Sequence, residues 1–154
     1  IYNDDWGTAK DTFFSVDTMK ELLLEPTRRI FEAIHKRGVK VEFHNCGHID
    51  RFIPYIIEEL QPDMMEIQVL NDIKHIMSTY GDRVTVEYAP DPFFINDPDV
   101  TRDQLKAYAR EIVDQYGAHV VKGSGVILNI NANDPDVYKT FESEAIEYSM
   151  KMYR

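Results

Sequence analysis

Basic residues, cysteine and long apolar stretches are all scarce in this sequence. Only 17 Lys and Arg face 27 Asp and Glu in 154 residues, for a formal net charge of −10. With no basic stripe to contact a phosphate backbone, we expect no nucleic-acid partner. The one cysteine, Cys46, excludes an internal disulfide and suits a reducing compartment, which predicts a cytoplasmic protein. No apolar run approaches the roughly 18 residues of a membrane helix, so we expect no membrane partner.

The rest of the composition is typical of a globular protein, with 44% hydrophobic and 29% charged residues. Strand-like and helical patterns alternate along the chain without a linker. Strands are predicted at residues 40–44, 64–68, 83–88 and 119–122. Helices are predicted at 17–37, 50–60 and 71–81, and two more begin near residues 101 and 134. This alternation predicts an α/β fold with a parallel sheet.

Local signals place the ends of several helices. Asp17 and Asn71 are predicted caps, and Thr101 begins a capping box with Gln104. Asp134 followed by proline is typical of a helix start. Pro26 falls inside the first helical pattern, so we expect it to kink or split the helix there.

The segment from Val39 to Asp50 reads V-K-V-E-F-H-N-C-G-H-I-D. Residues i and i+2 of a strand point to the same side, so His44 and Cys46 should converge, with Lys40 and Glu42 beside them. The opposite side is apolar: Val39, Val41 and Phe43. A polar side that ends in histidine and cysteine favours a barrel strand facing a lumen. The alternative is a turn with an incidental histidine and a free thiol.

Polar side chains recur at the carboxyl ends of the other predicted strands, where the chemistry of parallel α/β barrels is located. They are Glu66 and Gln68, Glu87 and Asp91, and Lys122 and Ser124, joined by Asp4 and Asp5 on the first loop and by Asn129. Packing alone does not explain polar residues at every strand end. The alternative is a solvated face of an open sheet.

Several short motifs, taken in order, resemble the uroporphyrinogen decarboxylase superfamily. They are D-D-W-G-T at residues 4–8, E-P at 25–26, A-I-H-K-R-G at 33–38, H-x-C-G at 44–47, I-Q at 67–68, N-D-I at 71–73 and Y-G-D-R at 80–83. The first and the fourth recur in its corrinoid-dependent methyltransferase branch. The resemblance covers essentially the whole chain and implies a TIM (β/α)8 barrel.

A complete barrel of this type takes about 250 residues. The chain is shorter, its first residue is isoleucine, and the resemblance begins in mid-barrel. We therefore expect one region, residues 1–154, that forms the carboxy-terminal half of a barrel. Its partner would be an amino-terminal half-barrel or a second copy of the chain. A small doubly wound domain is the alternative fold.

The resemblance also bears on metal chemistry. In the thiol-methylating members, zinc is held by the H-x-C pair, here His44 and Cys46, and by two further ligands. The corresponding positions here are Ser124 and Gln68, which are poor zinc ligands. Glu66 shares the side of Gln68 and is a substitute ligand. The two departures predict no zinc and no coenzyme M as acceptor. True decarboxylases carry G-H-G where this chain has G-S-G at residues 123–125, and they lack the H-x-C-G motif. Uroporphyrinogen decarboxylation is therefore kept only as an alternative.

The favoured reading within this family is transfer of a methyl group from methylcobalamin, carried by a corrinoid protein partner, to tetrahydrofolate. Glu66 and Asp91 are expected to orient the pterin, Glu87 to deliver a proton near its N5, and His44 to take part in catalysis. The expected substrate-binding residues are Asp4, Asp5, Glu66, Gln68, Lys122, Ser124 and Asn129. A non-enzymatic alternative is a truncated domain that only oligomerises.

Overall fold

The computed structural model describes residues 1–121 and 126–153. Its five strands are β1 (Tyr2–Asn3), β2 (Glu42–Asn45), β3 (Met64–Gln68), β4 (Thr85–Ala89) and β5 (Val126–Leu128). Its helices are α1 (Val16–Met19), α2 (Glu25–His35), α3 (Ile53–Tyr55), α4 (Ile73–Tyr80), α5 (Pro92–Ile95), α6 (Arg102–Val121) and α7 (Pro135–Met152). The fold is therefore α/β, as the alternation of patterns predicted.

The strands form one parallel sheet in the order β1-β2-β3-β4-β5. Each new strand is added at the same edge of the sheet. A doubly wound sheet differs, because its strand order reverses and later strands are added at the opposite edge. Right-handed crossovers that always advance in one direction place every connecting helix on the same face of the sheet. The strand order therefore predicts one covered face and one open face.

The burial of alternate residues confirms this division. Phe43, Met65 and Val86 lie in register across β2, β3 and β4, and all three are fully buried. Phe43 packs against Phe31 of α2, and Tyr88 of β4 packs against Tyr116 of α6. The residues between them along each strand are only half-buried, because the described helices leave their side of the sheet open.

The prediction of a strand at residues 119–122 is wrong. Helix α6 continues through Val121, and the last strand is Val126–Leu128. Helix α6 runs through Gly117, and the ring of Tyr153 packs over this glycine in the space that a side chain would take. Lys122 and Ser124, both expected at a strand end, lie outside the described residues.

The first loop also contains more regular structure than predicted. Tyr2 and Asn3 pair with β2, so the chain contributes five described strands rather than four. The remaining predicted strands are displaced by two residues at most, and the bounds of β3 are as predicted.

Two of the predicted caps are wrong and two are confirmed. The first helix is capped by Ser15 rather than Asp17, and α4 by Asp72 rather than Asn71. Thr101 and Gln104 form the expected capping box through bonds in both directions. Asp134 caps α7, with proline at its first position.

Pro26 is accommodated without ending the helix. A π-helical turn, Lys20–Leu24, joins α1 to α2, and Pro26 follows in the first turn of α2. Proline has no backbone N–H to donate, and it occupies the point where π-helical hydrogen bonds give way to α-helical ones. A second π-helical turn, Ile56–Leu60, continues α3. None of the described helices combines the length and the apolar content that crossing a bilayer requires.

Candidate functional site

A row of polar side chains crosses the open face of the sheet. His44, Glu66 and Glu87 lie opposite one another on β2, β3 and β4. Glu42, two residues before His44, has the same orientation and joins Glu66 and Glu87 in a group whose carboxylate oxygens lie within 4.8 Å of one another. The period-two pattern of the strands therefore brings together the residues that the sequence placed on one side.

His44 is held between two acidic groups. Its Nδ1 atom lies 2.5 Å from Oε2 of Glu66, and Asn129 donates a hydrogen bond of 3.2 Å to the other oxygen of Glu66. Its Nε2 atom lies 3.3 Å from the Cys46 sulfur and 3.8 Å from Oδ1 of Asp5. Because Glu66 accepts at Nδ1, it fixes the orientation of the ring and leaves Nε2 directed at Cys46 and Asp5.

The loop that carries Asp5 is fixed in place by its neighbour Trp6. The Trp6 side chain is buried and makes edge contacts with Phe43 and Phe52. Beyond it, the loop backbone bonds to the turn after β2, where the N–H of His48 donates 2.7 Å to the carbonyl of Thr8. The D-D-W-G-T motif thus anchors Asp5 beside the turn that contains Cys46.

The two segments approach so closely that both need glycine. Gly47 has a φ of +85°, and a Cβ atom on it would lie 2.4 Å from the carbonyl carbon of Gly7. A Cβ atom is essentially never found that close to a backbone atom, so one of the two segments would have to shift. Glycine at these two positions therefore lets the first loop and the H-x-C-G turn pack backbone against backbone.

Two polar residues from the next strand–helix connection hold the same turn. The amide oxygen of Gln68 accepts 2.8 Å from the N–H of Gly47. Asn71 is buried, accepts from the N–H of Ile49 at 2.8 Å and donates to the carbonyl of Gly47 at 3.0 Å. The side chains of Gln68 and Asn71 therefore stabilise the turn around Gly47 by hydrogen bonds to its backbone, and Asn71 does not cap a helix.

The electrostatics of the open face favour bound protons. Partial burial raises the pKa of Glu87, and the nearby negative charges of Glu42 and Glu66 raise it further. Burial likewise raises the pKa of the Cys46 thiol, with the Asp5 carboxylate adding to the effect. Cys46 is therefore a protonated thiol at neutral pH when only these neighbours surround it.

Other residues predicted for the site lie apart from this row. Asp4 accepts from the Tyr2 hydroxyl at 3.2 Å, and Tyr2 packs on the helix-covered side. Asp91 accepts from the N–H of Phe93 and so caps the short helix α5. In the part of the chain that the structure describes, no hydrogen bond joins Asp91 to the glutamates of the open face. Glu42 was not among the predicted site residues, although its parity with His44 was visible in the sequence.

Asp5, His44 and Cys46 present one carboxylate, one imidazole and one thiol whose ligand atoms lie within 4.8 Å of one another. These are the ligand types of catalytic zinc, and tetrahedral zinc places its sulfur and nitrogen ligands about 3.6 Å apart. The three groups also satisfy one another without a metal, because Asp5 accepts 2.9 Å from the N–H of Cys46. The set is suitable for a soft divalent cation, but its geometry is explained by hydrogen bonds alone.

No protein-family model matches the sequence, and a search of curated proteins returned no significant match.

Proposed function

We propose that the chain forms the carboxy-terminal half of a TIM barrel whose open sheet face is the acceptor side of a methyltransferase. The methyl group would pass from a methylated corrinoid protein to tetrahydrofolate. Support for the barrel comes from five parallel strands in sequential order with one polar face left uncovered. Support for the chemistry comes from the residues on that face, together with the motifs that resemble this family.

The observation that carries the proposal is the position of Glu87 beside Glu66 and Glu42, with the carboxylate oxygens of the three residues within 4.8 Å of one another. When N5 of tetrahydrofolate takes the methyl group it loses its own proton, and the electron pair of the broken carbon–cobalt bond stays with the partner's corrinoid. In this proposal Glu87 receives that proton during methylation and delivers it back to N5 in the reverse reaction. Because the pKa of Glu87 is raised, this carboxyl can exchange a proton closer to neutral pH than an ordinary glutamate.

The remaining polar residues suit the edge of a pterin, which presents adjacent donors and acceptors. Asn129, the residue after β5, offers an amide next to Glu66 in the middle of β3. His44 and Glu66 hold each other in one orientation before substrate arrives. A preformed set of this kind limits the loss of side-chain freedom on binding, so its role would be positioning.

The experiment is a kinetic comparison of Glu87→Gln in the complete enzyme that contains this region. Glutamine keeps the shape but cannot exchange the proton, so kcat should fall by roughly 10²–10⁴-fold with little change in the KM for tetrahydrofolate. Glu59→Gln, on an exposed helical position, makes the same change of charge away from the site and should have no effect. A Glu87→Gln variant with full activity would refute the assigned role.

The pH dependence gives a second readout of the same residue. In the direction of tetrahydrofolate methylation, Glu87 must be ionised, so the rate should rise with pH through its raised pKa. Glu42→Gln removes one of the two negative neighbours and should move that inflection to lower pH. An inflection that stays unchanged in Glu42→Gln would show that another group controls the rate.

A second candidate is a zinc-dependent transfer to a thiol, which the proximity of Asp5, His44 and Cys46 favours. In that case these three residues would hold the ion, and Glu66 would orient His44 from behind. Zinc supplies activation of the acceptor thiol as thiolate. Metal analysis of the purified protein and a comparison of thiol and pterin acceptors separate the two candidates.

A further inference from the structure

Asn96, which follows the short helix α5, joins the connections that leave β4 and β5. Its amide nitrogen donates 2.8 Å to the carbonyl of Pro92 and 2.9 Å to the carbonyl of Asn131. Its amide oxygen accepts 2.7 Å from the N–H of Asn133. One side chain therefore pairs with a C=O and an N–H group that lie two residues apart, as a residue of a parallel strand would.

The connection that Asn96 holds, residues 129–134 between β5 and α7, also carries Asn129. The N–H of Asn129 donates 2.9 Å to the carbonyl of Tyr88, and its side chain donates 3.2 Å to Glu66. Ile130 alone separates Asn129 from the first residue that Asn96 binds. The two bonds from Asn96 therefore restrict the backbone directly after Asn129 and, with it, the position of the Asn129 side chain.

The amide of Asn129 acts on Glu87 as well as on Glu66. Burial raises the pKa of Glu87, and the negative charges of Glu42 and Glu66 raise it further, whereas a hydrogen bond from Asn129 opposes them. Ile127 of β5 lies opposite Glu87 and is apolar, so it contributes no charge. Asn129 thus supplies a neutral donor that favours the ionised form of Glu87 beside two carboxylates that disfavour it.

We propose that Asn96 is a positioning residue of the acceptor side: it fixes the connection after β5 and so holds the amide of Asn129 against Glu66 and Glu87. The inference rests on the proposed function, because it concerns the proton that Glu87 exchanges and the pterin edge that Asn129 would contact. Without Asn96, the amide of Asn129 would adopt several orientations. Tetrahydrofolate would then have to order this side chain on binding, which costs affinity.

The test compares Asn96→Ala with the unmodified form of the complete enzyme that contains this region. Loss of the fixed amide should raise the KM for tetrahydrofolate about two- to tenfold, with little change in kcat at saturating pH. In the pH profile of methylation, the inflection should move at least about 0.5 unit to higher pH, because Glu87 loses a bond that favours its ionised form. A residue with a merely structural role would lower the amount of folded enzyme without moving the inflection.

Gln104→Ala is the matched control. The amide oxygen of Gln104 accepts two bonds of 2.8 Å from Thr101 in the capping box of α6, so this variant loses comparable contacts away from the connection after β5. It should leave both the KM and the inflection unchanged. Asn129→Ala should reproduce both changes, and adding Asn96→Ala to it should change nothing further, since Asn96 acts through Asn129.

The pKa of Glu87 can also be followed without turnover, by carbon-13 NMR of the glutamate side chains, with Glu87→Gln to assign the signal. Asn96→Ala should raise the pKa in this titration too, which decides the inference even for an enzyme that does not methylate tetrahydrofolate. Three results would overturn it: an unchanged titration of Glu87 in Asn96→Ala, equal changes in Gln104→Ala, or additive effects of Asn96→Ala and Asn129→Ala.

Discussion

The backbone contact between Gly7 and Gly47 gives the most direct structural prediction. The perturbation is Gly47→Ala, which adds one methyl group where the first loop meets the H-x-C-G turn. Gly38→Ala is the matched control: its φ of +72° is also positive, but nothing lies within 4 Å of the added Cβ atom. The two variants share the backbone penalty and differ in the contact.

The expected magnitudes follow from those two components. A left-handed conformation costs a residue with a side chain about 1–2 kcal/mol, partly offset by the reduced freedom of the unfolded chain. Gly38→Ala should therefore lower the free energy of unfolding by about 1 kcal/mol. At Gly47 the new Cβ would also lie 2.4 Å from backbone that cannot rotate away. Overpacking adds about 1–3 kcal/mol, for a total of about 2–4 kcal/mol.

Thermal unfolding followed by circular dichroism would measure both variants. For a protein of this size each kcal/mol corresponds to about 2–4 °C, so Gly47→Ala should melt at least about 2 °C below Gly38→Ala. Equal melting temperatures would refute the reasoning, because they would mean that the loop carrying Asp5 does not press on the turn carrying Cys46.

Two further predictions concern ionisation and metal. The pKa of Asp63 is lowered to about 2: burial opposes this, but hydrogen bonds from Lys40, the N–H of Val41 and His35 outweigh it. A depressed carboxyl pKa stabilises the fold above the unfolded value of 3.8, so that stabilisation should be lost as pH falls from about 4 to about 2. In urea titrations, Asp63→Asn should be less stable than the unmodified protein at pH 7, and most of that difference should be lost by about pH 2. Purified protein should hold well under one zinc per chain by elemental analysis; stoichiometric zinc would favour the thiol acceptor.

The sequence correctly predicted which side of the sheet the residues of β2, β3 and β4 face. The alternation around Phe43, Met65 and Val86 placed His44, Glu66 and Glu87 on one face, because the side-chain period of a strand is two whatever the surrounding fold. The last strand was mispredicted because an apolar run as short as residues 119–122 fits a strand and the end of a helix equally well. The apolar residues from Leu105 to Tyr116 follow helical spacing, and the helix that they form continues through residues 119–121.

The roles of single polar residues depended on tertiary contacts that no local pattern reveals. Gln68 and Asn71 were expected at a substrate and at a helix cap, but both bond to the turn around Gly47. Asp4 and Asp5 are adjacent in sequence yet lie on opposite sides of the first strand and its extension. That strand has only two paired residues, too few for a periodic signal.

The measurement that tests the central claim most directly is the acceptor used by the complete enzyme. Methylcobalamin is incubated with the enzyme and either tetrahydrofolate or coenzyme M, and the loss of the carbon–cobalt bond is followed by absorbance while methylated product is quantified by mass spectrometry. The proposal predicts N5-methyltetrahydrofolate as the product and little reaction with coenzyme M. Faster methylation of the thiol than of the pterin would contradict it.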